Sequence, residues 1–253
     1  MIPVVFQLGP LPIHSFGLMM LLCFVAAYRR LSLSLGRAGE RAELAEPMIT
    51  WAALGGILGA RVNYLISFPD EIVQRGIWAV IGGAGFVFYG GFIGGVLGVW
   101  LLLRKHKVDF LKYADLSGAA LAVGYGVGRI GCHLSGDGDY GIPTTVPWAV
   151  SYALGVLPTD PGVLVHPAPI YETFGAFVIA GILVSLEGTQ KLSIKGQRFG
   201  LYLVLSALAR FLVEYVRIEP VVFAGFTHAQ LVALGAAVVG ALFIAAPLRR
   251  VRT

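Results

Sequence analysis

The sequence predicts an all-α, polytopic membrane protein of about seven transmembrane helices, and three observations point there. First, 57% of the 253 residues are hydrophobic and only 13% are charged, against about 45–50% and about 25% in an average soluble domain. Second, apolar stretches long enough to cross a bilayer recur along the chain. Third, Lys and Arg gather in alternate gaps between those stretches. With a mean hydropathy of +0.79, the chain lacks the polar side chains needed to clothe a soluble globule, so a soluble enzyme is excluded. The formal charge of +5 does not signal nucleic acid. The basic residues sit in short clusters between apolar runs rather than on a stripe interleaved with aromatics.

Crossing a hydrocarbon core of about 30 Å takes about 17–25 residues. Stretches of that order run approximately over 13–28, 48–67, 83–103, 113–134, 168–187, 199–217 and 227–247. The first is short, but the uncharged leader MIPVVFQLGPLP precedes it. That leader has no basic n-region, so no cleavable signal is expected. The third is rich in glycine (GGAGFVFYGGFIGG), and its first part is a candidate re-entrant segment, which must be buried in protein or line a cavity. Gly and Ala in the other stretches suit helices packed closely in lipid. No inverted repeat and no soluble domain is evident, so residues 1–253 read as a single integral membrane domain.

Orientation follows from the loops. Arg29, Arg30, Arg37 and Arg41 follow the first stretch, and Arg104, Lys105, Lys107 and Lys112 follow the third. Lys191, Lys195 and Arg198 follow the fifth, and Arg249, Arg250 and Arg252 close the chain. The opposite loops hold only Arg75. The N-terminus is therefore expected outside and the C-terminus in the cytoplasm. His14, His133, His166 and His228 all fall on the expected outer side, as does the longest loop, about 135–167. That loop has no Lys or Arg but carries Asp137, Asp139 and Asp160, and long loops are often functional. Cys23 and Cys132 offer neither a disulfide framework nor metal-ligand spacing, so neither metal nor cofactor is expected.

Four arginines, Arg61, Arg129, Arg210 and Arg217, lie within or at the ends of apolar stretches. An Arg at mid-bilayer costs about 2.5–3.5 kcal/mol on insertion scales, so such groups persist only when paired, hydrated or used. Arg210 has Glu214 four residues on and Arg217 seven on, which places all three on one helix face. One reading is a structural Arg210–Glu214 pair. The other is a cavity arginine that binds an anion with Glu214 holding it, and its fixed fork suits phosphate. Arg217, near the helix end, is expected to snorkel, and Arg61 is read as either a pairing residue of the core or a site residue. Arg129 sits in GYGVGRIGCHLSGDGDYG, residues 124–141. A helix continuing past it puts Cys132 and His133 on its face, with Asp137, Asp139 and Tyr140 turning back beyond. Cation, thiol, imidazole and carboxylates at one membrane boundary look like a site, although Cys132 also reads as a small buried hydrophobe and His133 as an interfacial side chain.

At these residues the chain resembles the prolipoprotein diacylglyceryl transferase family. The resemblance covers nearly the whole chain through six collinear segments: LGPLPIHSFGLM (8–19), LGARVNYLI (58–66), FYGGFIGG (88–95), the 124–141 stretch, HPAPIYE (166–172) and ARFLVEYVR (209–217). It implies a seven-helix enzyme of the bacterial cytoplasmic membrane. Such an enzyme moves the diacylglyceryl unit of phosphatidylglycerol onto the lipobox cysteine of a prolipoprotein signal peptide, forming a thioether and releasing glycerol phosphate. It also implies that Arg129 and Arg210 bind the lipid phosphate. His14, Gly90, Gly91, Asp137, Tyr171, Glu172 and Glu214 match family positions around the cavity.

The chain departs from the family pattern at several polar positions. Tyr89 stands where the family has the histidine proposed as base, and Phe16 where it has a tyrosine. Cys132 replaces the signature asparagine, Asp137 a glutamate in a loop one residue longer, and Ser206 a tyrosine. Tyr89, with an ordinary pKa near 10, is a poor base for a thiol of about 8.5. His133 is the alternative proton acceptor, or no dedicated base is needed. These changes leave open a transferase of the same fold with another lipid donor or acceptor, and a non-catalytic phospholipid-binding or transport protein.

Overall fold

The computed structural model describes residues 1–70 and 88–245. The chain is mainly helical, and every expected stretch overlaps a helix. These are α1 Ser15–Arg37, α2 Ala45–Ser67, α3 Phe88–Lys105, α4 Phe110–Ser135, α5 Ala168–Ser185, α6 Gln197–Val213 and α7 His228–Ala245. Among the described residues, five stretches are long and apolar enough to cross a membrane: Ser15–Arg37, Ala42–Ser67, Ala168–Ser185, Gln197–Val216 and His228–Ala245. The re-entrant reading of residues 82–87 lies outside the described residues, as do Arg75, Arg249, Arg250 and Arg252. The later part of the same glycine run, from Phe88, is ordinary α-helix.

Not everything is helical. Strands β1 (Val4–Leu8) and β2 (Leu11–His14) form an antiparallel hairpin, and β3 (Val221–Phe223) with β4 (Phe226–Thr227) forms a second. The all-α reading missed both. Runs such as VVFQL and LPIH are apolar enough to merge into their neighbouring spans, while their β-branched residues and the Gly9-Pro10 turn favour a hairpin. Helix α1 also continues nine residues past the expected end, because Leu31, Ser34 and Leu35 keep a buried face. Arg29 and Arg30 are therefore helical rather than loop residues.

The chain forms two compact units, Met1–Glu40 with Ala114–Thr253, and Arg41–Tyr113. In the second, α2 and α3 pack backbone against backbone. A Cβ added to Gly55 would stand 2.3 Å from the Gly94 carbonyl oxygen, and one on Gly59 would stand 2.2 Å from that of Gly90. No side chain fits there, so the glycines exist to let the helices touch.

In the first unit, Ala119, Ala122, Ile179, Ala180 and Leu183 form an apolar core against α6 residues Leu201, Tyr202 and Leu205. The Thr173 hydroxyl ties α5 to α4 by donating to the Gly126 carbonyl at 3.1 Å. The long loop is held by its backbone. Gly141 N–H donates to His166 O at 2.8 Å, Ile142 N–H to Val216 O at 2.8 Å, and Thr144 N–H to Leu164 O at 2.9 Å. Only glycine fits at 141, where a Cβ would meet Val216 O at 2.1 Å.

Candidate functional site

Helices α4, α5 and α6 each place a charged residue toward a common point in the first unit, and the centre of the arrangement is Glu172. Its side chain is 3% exposed. Arg129 from α4 pairs with one of its oxygens, and Arg210 from α6 donates to the other at 3.0 Å. The Tyr125 hydroxyl donates to the same oxygen at 2.8 Å. Tyr125 and Arg129 lie one turn apart on α4, so both reach α5 from one helix face.

The network extends on both sides. Arg210 bonds Glu214 Oε2 at 2.8 Å, so the expected i,i+4 pair is formed, and Glu214 in turn accepts from the Thr227 hydroxyl at 2.7 Å. Arg129 also pairs with Asp139 and lies 3.4 Å from the Cys132 sulfur. Arg217 does not snorkel. Its side chain is 8% exposed, it bonds Asp139 Oδ1 at 2.7 Å, and it donates to the Asp139 carbonyl at 3.0 Å. Carboxylates within 3.8 Å draw it inward: Glu172 and Glu214 both lie at that distance from its guanidinium. Three arginines thus face three carboxylates, which is how the unit keeps these charges in an apolar bundle. Burial raises the Asp139 carboxyl, but Arg129 and Arg217 outweigh it and hold the group down to about 2.

Arg210 is the accessible member, with 28% of its side chain exposed. It lines a cavity of about 200 Å³ with Tyr125 and Glu172, whose other walls include Ala122, Ala176, Ile179 and Ala209. The hollow therefore has one charged wall, with Tyr202 and Ser206 set among its otherwise apolar lining. Two edges of Arg210 are fixed by Glu172 and Glu214, which leaves the rest of a five-donor fork for an anion. Arg129 stands behind Glu172 rather than on the cavity wall.

The remaining expected residues sort as follows. His133, half-buried, has Nδ1 2.7 Å from the Tyr152 hydroxyl, and its ring meets Tyr152 edge-on. Burial and the nearby Asp137 push the Tyr152 phenol up, so it stays protonated. Tyr171 accepts from Trp148 Nε1 at 2.6 Å and lies 3.0 Å from His166 Nδ1, which ties the loop to α5. His14 ends β2, exposed, at the N-cap of α1. Asp137 accepts from the Asp139 backbone N–H at 3.3 Å. The loop carboxylate that pairs with the arginines is Asp139. Ligand atoms of Cys132, Asp137 and Asp139 lie within 4.8 Å of one another, and Arg129 supplies the cation beside them. Tyr89, Gly90 and Gly91 belong to the other unit and open α3, where Gly90 and Gly91 meet α2 closely.

Tyr125 and Thr227 were not singled out from the sequence, Arg217 was read there as snorkelling, and Asp139 was placed near the site without its arginine partners. Spacing offered a signal for Tyr125, four residues before Arg129, and for Arg217, three after Glu214. Nothing local marks Thr227.

Several apolar helices of spanning length, with a largely buried ion network beside a cavity of mixed charged and apolar lining, define the class as a multi-pass membrane protein. The profile of the prolipoprotein diacylglyceryl transferase family matches residues 3–246. Over 219 residues the chain is 34% identical to the phosphatidylglycerol–prolipoprotein diacylglyceryl transferase of Clostridium tetani, covering 86% of each chain. It is 33% identical to that of Nitratidesulfovibrio vulgaris, covering 86% of this chain and 81% of the relative. It is 32% identical to that of Chromohalobacter salexigens, covering 85% and 79%. This chain belongs to the prolipoprotein diacylglyceryl transferase family.

Proposed function

We propose that this protein is a phosphatidylglycerol–prolipoprotein diacylglyceryl transferase, and the observation that carries the reading is Arg210 on the wall of a hollow whose remaining lining is mostly apolar or aromatic. The phosphate of phosphatidylglycerol takes the free donors of Arg210, and its diacylglyceryl part lies along Ala122, Ala176 and Ile179. The sulfur of a lipobox cysteine attacks the glyceryl carbon bonded to the phosphate oxygen. A C–S bond forms as the C–O bond breaks, and the electron pair leaves with glycerol phosphate. Arg210, backed by Arg129 through Glu172, stabilises the charge growing on that phosphate, as preorganised donors do best in a water-poor site.

The thiol proton has two destinations in this reading, His133 or the departing phosphate. With Nδ1–H donated to the Tyr152 oxygen, Nε2 of His133 carries the free lone pair that takes the proton. Activity of His133→Ala is expected to fall about 100-fold where His133 is the base; activity equal to wild type assigns the proton to the phosphate. Asp137, Tyr171 and His14 are proposed as further contributors around the bound lipid.

The same reading gives the chain one integral membrane domain with seven spans in the bacterial cytoplasmic membrane, N-terminus outside. The basic loops support that orientation, and it puts the Glu172 network on the exported side, where a secreted cysteine arrives. Rescue of a bacterium depleted of its own transferase tests donor and acceptor together. Growth and lipid-modified prolipoprotein are expected. A protein that accumulates in the membrane and binds phosphatidylglycerol without rescue is a lipid-binding protein instead.

A further inference from the structure

A second arginine cluster lies at the other end of the first unit. Along α6 from Arg210 to Arg198, and along α4 from Arg129 to Leu116, the rise is about 18–20 Å. There Glu187 takes Arg30 and, at 3.0 Å, Arg37, and it accepts from the Ser34 hydroxyl at 2.7 Å. Arg198 donates to the Thr189 carbonyl at 2.9 Å, and its Nε is buried with no hydrogen-bond partner among the described residues. Arg37, Arg198, Glu187, Thr189 and Gln190 surround a hollow of about 240 Å³, closed on one side by Ala38 and Leu116.

Three features separate this hollow from a structural salt bridge. Arg37 remains 55% exposed although Glu187 fixes one of its nitrogens, so most of its fork is free. The cations also outnumber the carboxylates. Arg30, Arg37 and Arg198 face Glu187 and Asp115, and Asp115 is itself spent on the backbone N–H groups of Gly196 and Phe199 at 2.7 and 2.8 Å. Lys191 and Lys195 lie on the same loop. Finally, the volume falls below the roughly 300–1,000 Å³ of pockets for drug-sized ligands and suits a small head group, with Gln190 as a neutral donor.

We propose that this hollow is a second anion site, binding a phosphate group carried by an anionic phospholipid head or free in solution. Two guanidinium forks converging on one concavity are the pattern that recognises phosphate. The site is separate from the transfer cavity and does not depend on its chemistry.

Native mass spectrometry of the full chain released from phosphatidylglycerol nanodiscs tests it, with phosphatidylcholine nanodiscs as the uncharged-head control. Wild type is expected to keep a phosphatidylglycerol adduct that Arg37→Gln and Arg198→Gln lose, with affinity down roughly tenfold or more. Arg210→Gln, at the other end, leaves this adduct in place, which separates it from lipid in the transfer cavity. Inorganic phosphate added at millimolar concentration discriminates the source: displacement of the adduct identifies free phosphate as a competing occupant, and persistence identifies the lipid head. Thermal melting checks that the variants fold. Should Arg198→Gln loosen its loop, Arg37→Gln, on a half-exposed side chain, decides alone. Equal adducts in wild type and Arg37→Gln, or equal adducts with phosphatidylcholine, overturn the proposal.

Discussion

Helices α2 and α3 touch through backbone, whereas α4, α5 and α6 touch through buried charge. Both groups are drawn from the same apolar vocabulary. In the first, glycines on α2 oppose Gly90 and Gly94 so closely that a methyl group would overlap a carbonyl. In the second, Glu172 joins Arg129 and Arg210 across three helices. Glycine contacts cost little and hold helices together. Buried ions carry a desolvation penalty of several kcal/mol each and are often replaceable by apolar packing without loss of stability. Their presence therefore points to use rather than to architecture.

Breaking the ionic region is expected to have the largest consequence. Glu172→Gln leaves buried guanidiniums without their shared carboxylate, a change of the kind that costs about 3–5 kcal/mol. A matching drop in thermal or denaturant stability of the detergent-solubilised protein checks it, and an unchanged melt would show the cluster to be hydrated. Arg210→Gln acts next, on function more than on fold: transfer to a lipobox peptide is expected to fall about 100-fold or more. Arg210→Lys should recover part of that, because an ammonium keeps the charge but loses the fork. In the glycine region, Gly55→Ala forces a methyl group onto the Gly94 carbonyl oxygen, 2.3 Å away. Overpacking of this kind costs about 1–3 kcal/mol, and activity per folded molecule is expected to stay at the wild-type level.

The smallest effect is a pH dependence. The Asp139 carboxyl sits at about 2, below its usual 3.8. A lowered folded-state pKa gives stability that is complete above the unfolded value and disappears as pH falls toward the folded one. Melting temperature is thus expected to hold level from neutral pH to about 4 and to decline between about 4 and about 2, the decline being smaller in Asp139→Asn. An identical acid profile for the two proteins would detach Asp139 from the network.

Much of this was legible in the sequence. The apolar stretches found their helices because a bilayer demands length and hydropathy together, and those are local properties. Arg129, Arg210 and Glu214 stood out because charge inside an apolar run is anomalous wherever it falls. The hairpins were hidden by the same apolarity that marks a span. The pairing of Asp139 with Arg217 was hidden for a different reason: it depends on how residues 136–142 turn back, with Gly141 seated against Val216. Asp137 matched by alignment of motifs, yet the carboxylate two residues on, Asp139, is the one that reaches the arginines. Tertiary closure of a loop is not written in spacing.

The decisive measurement is the mass of a lipobox peptide incubated with the purified protein in membranes containing phosphatidylglycerol. A mass increase equal to one diacylglyceryl group on the cysteine, absent with Arg210→Gln, is the predicted result. A peptide of unchanged mass beside a folded protein that holds the lipid, or an equal increase with Arg210→Gln, would contradict it.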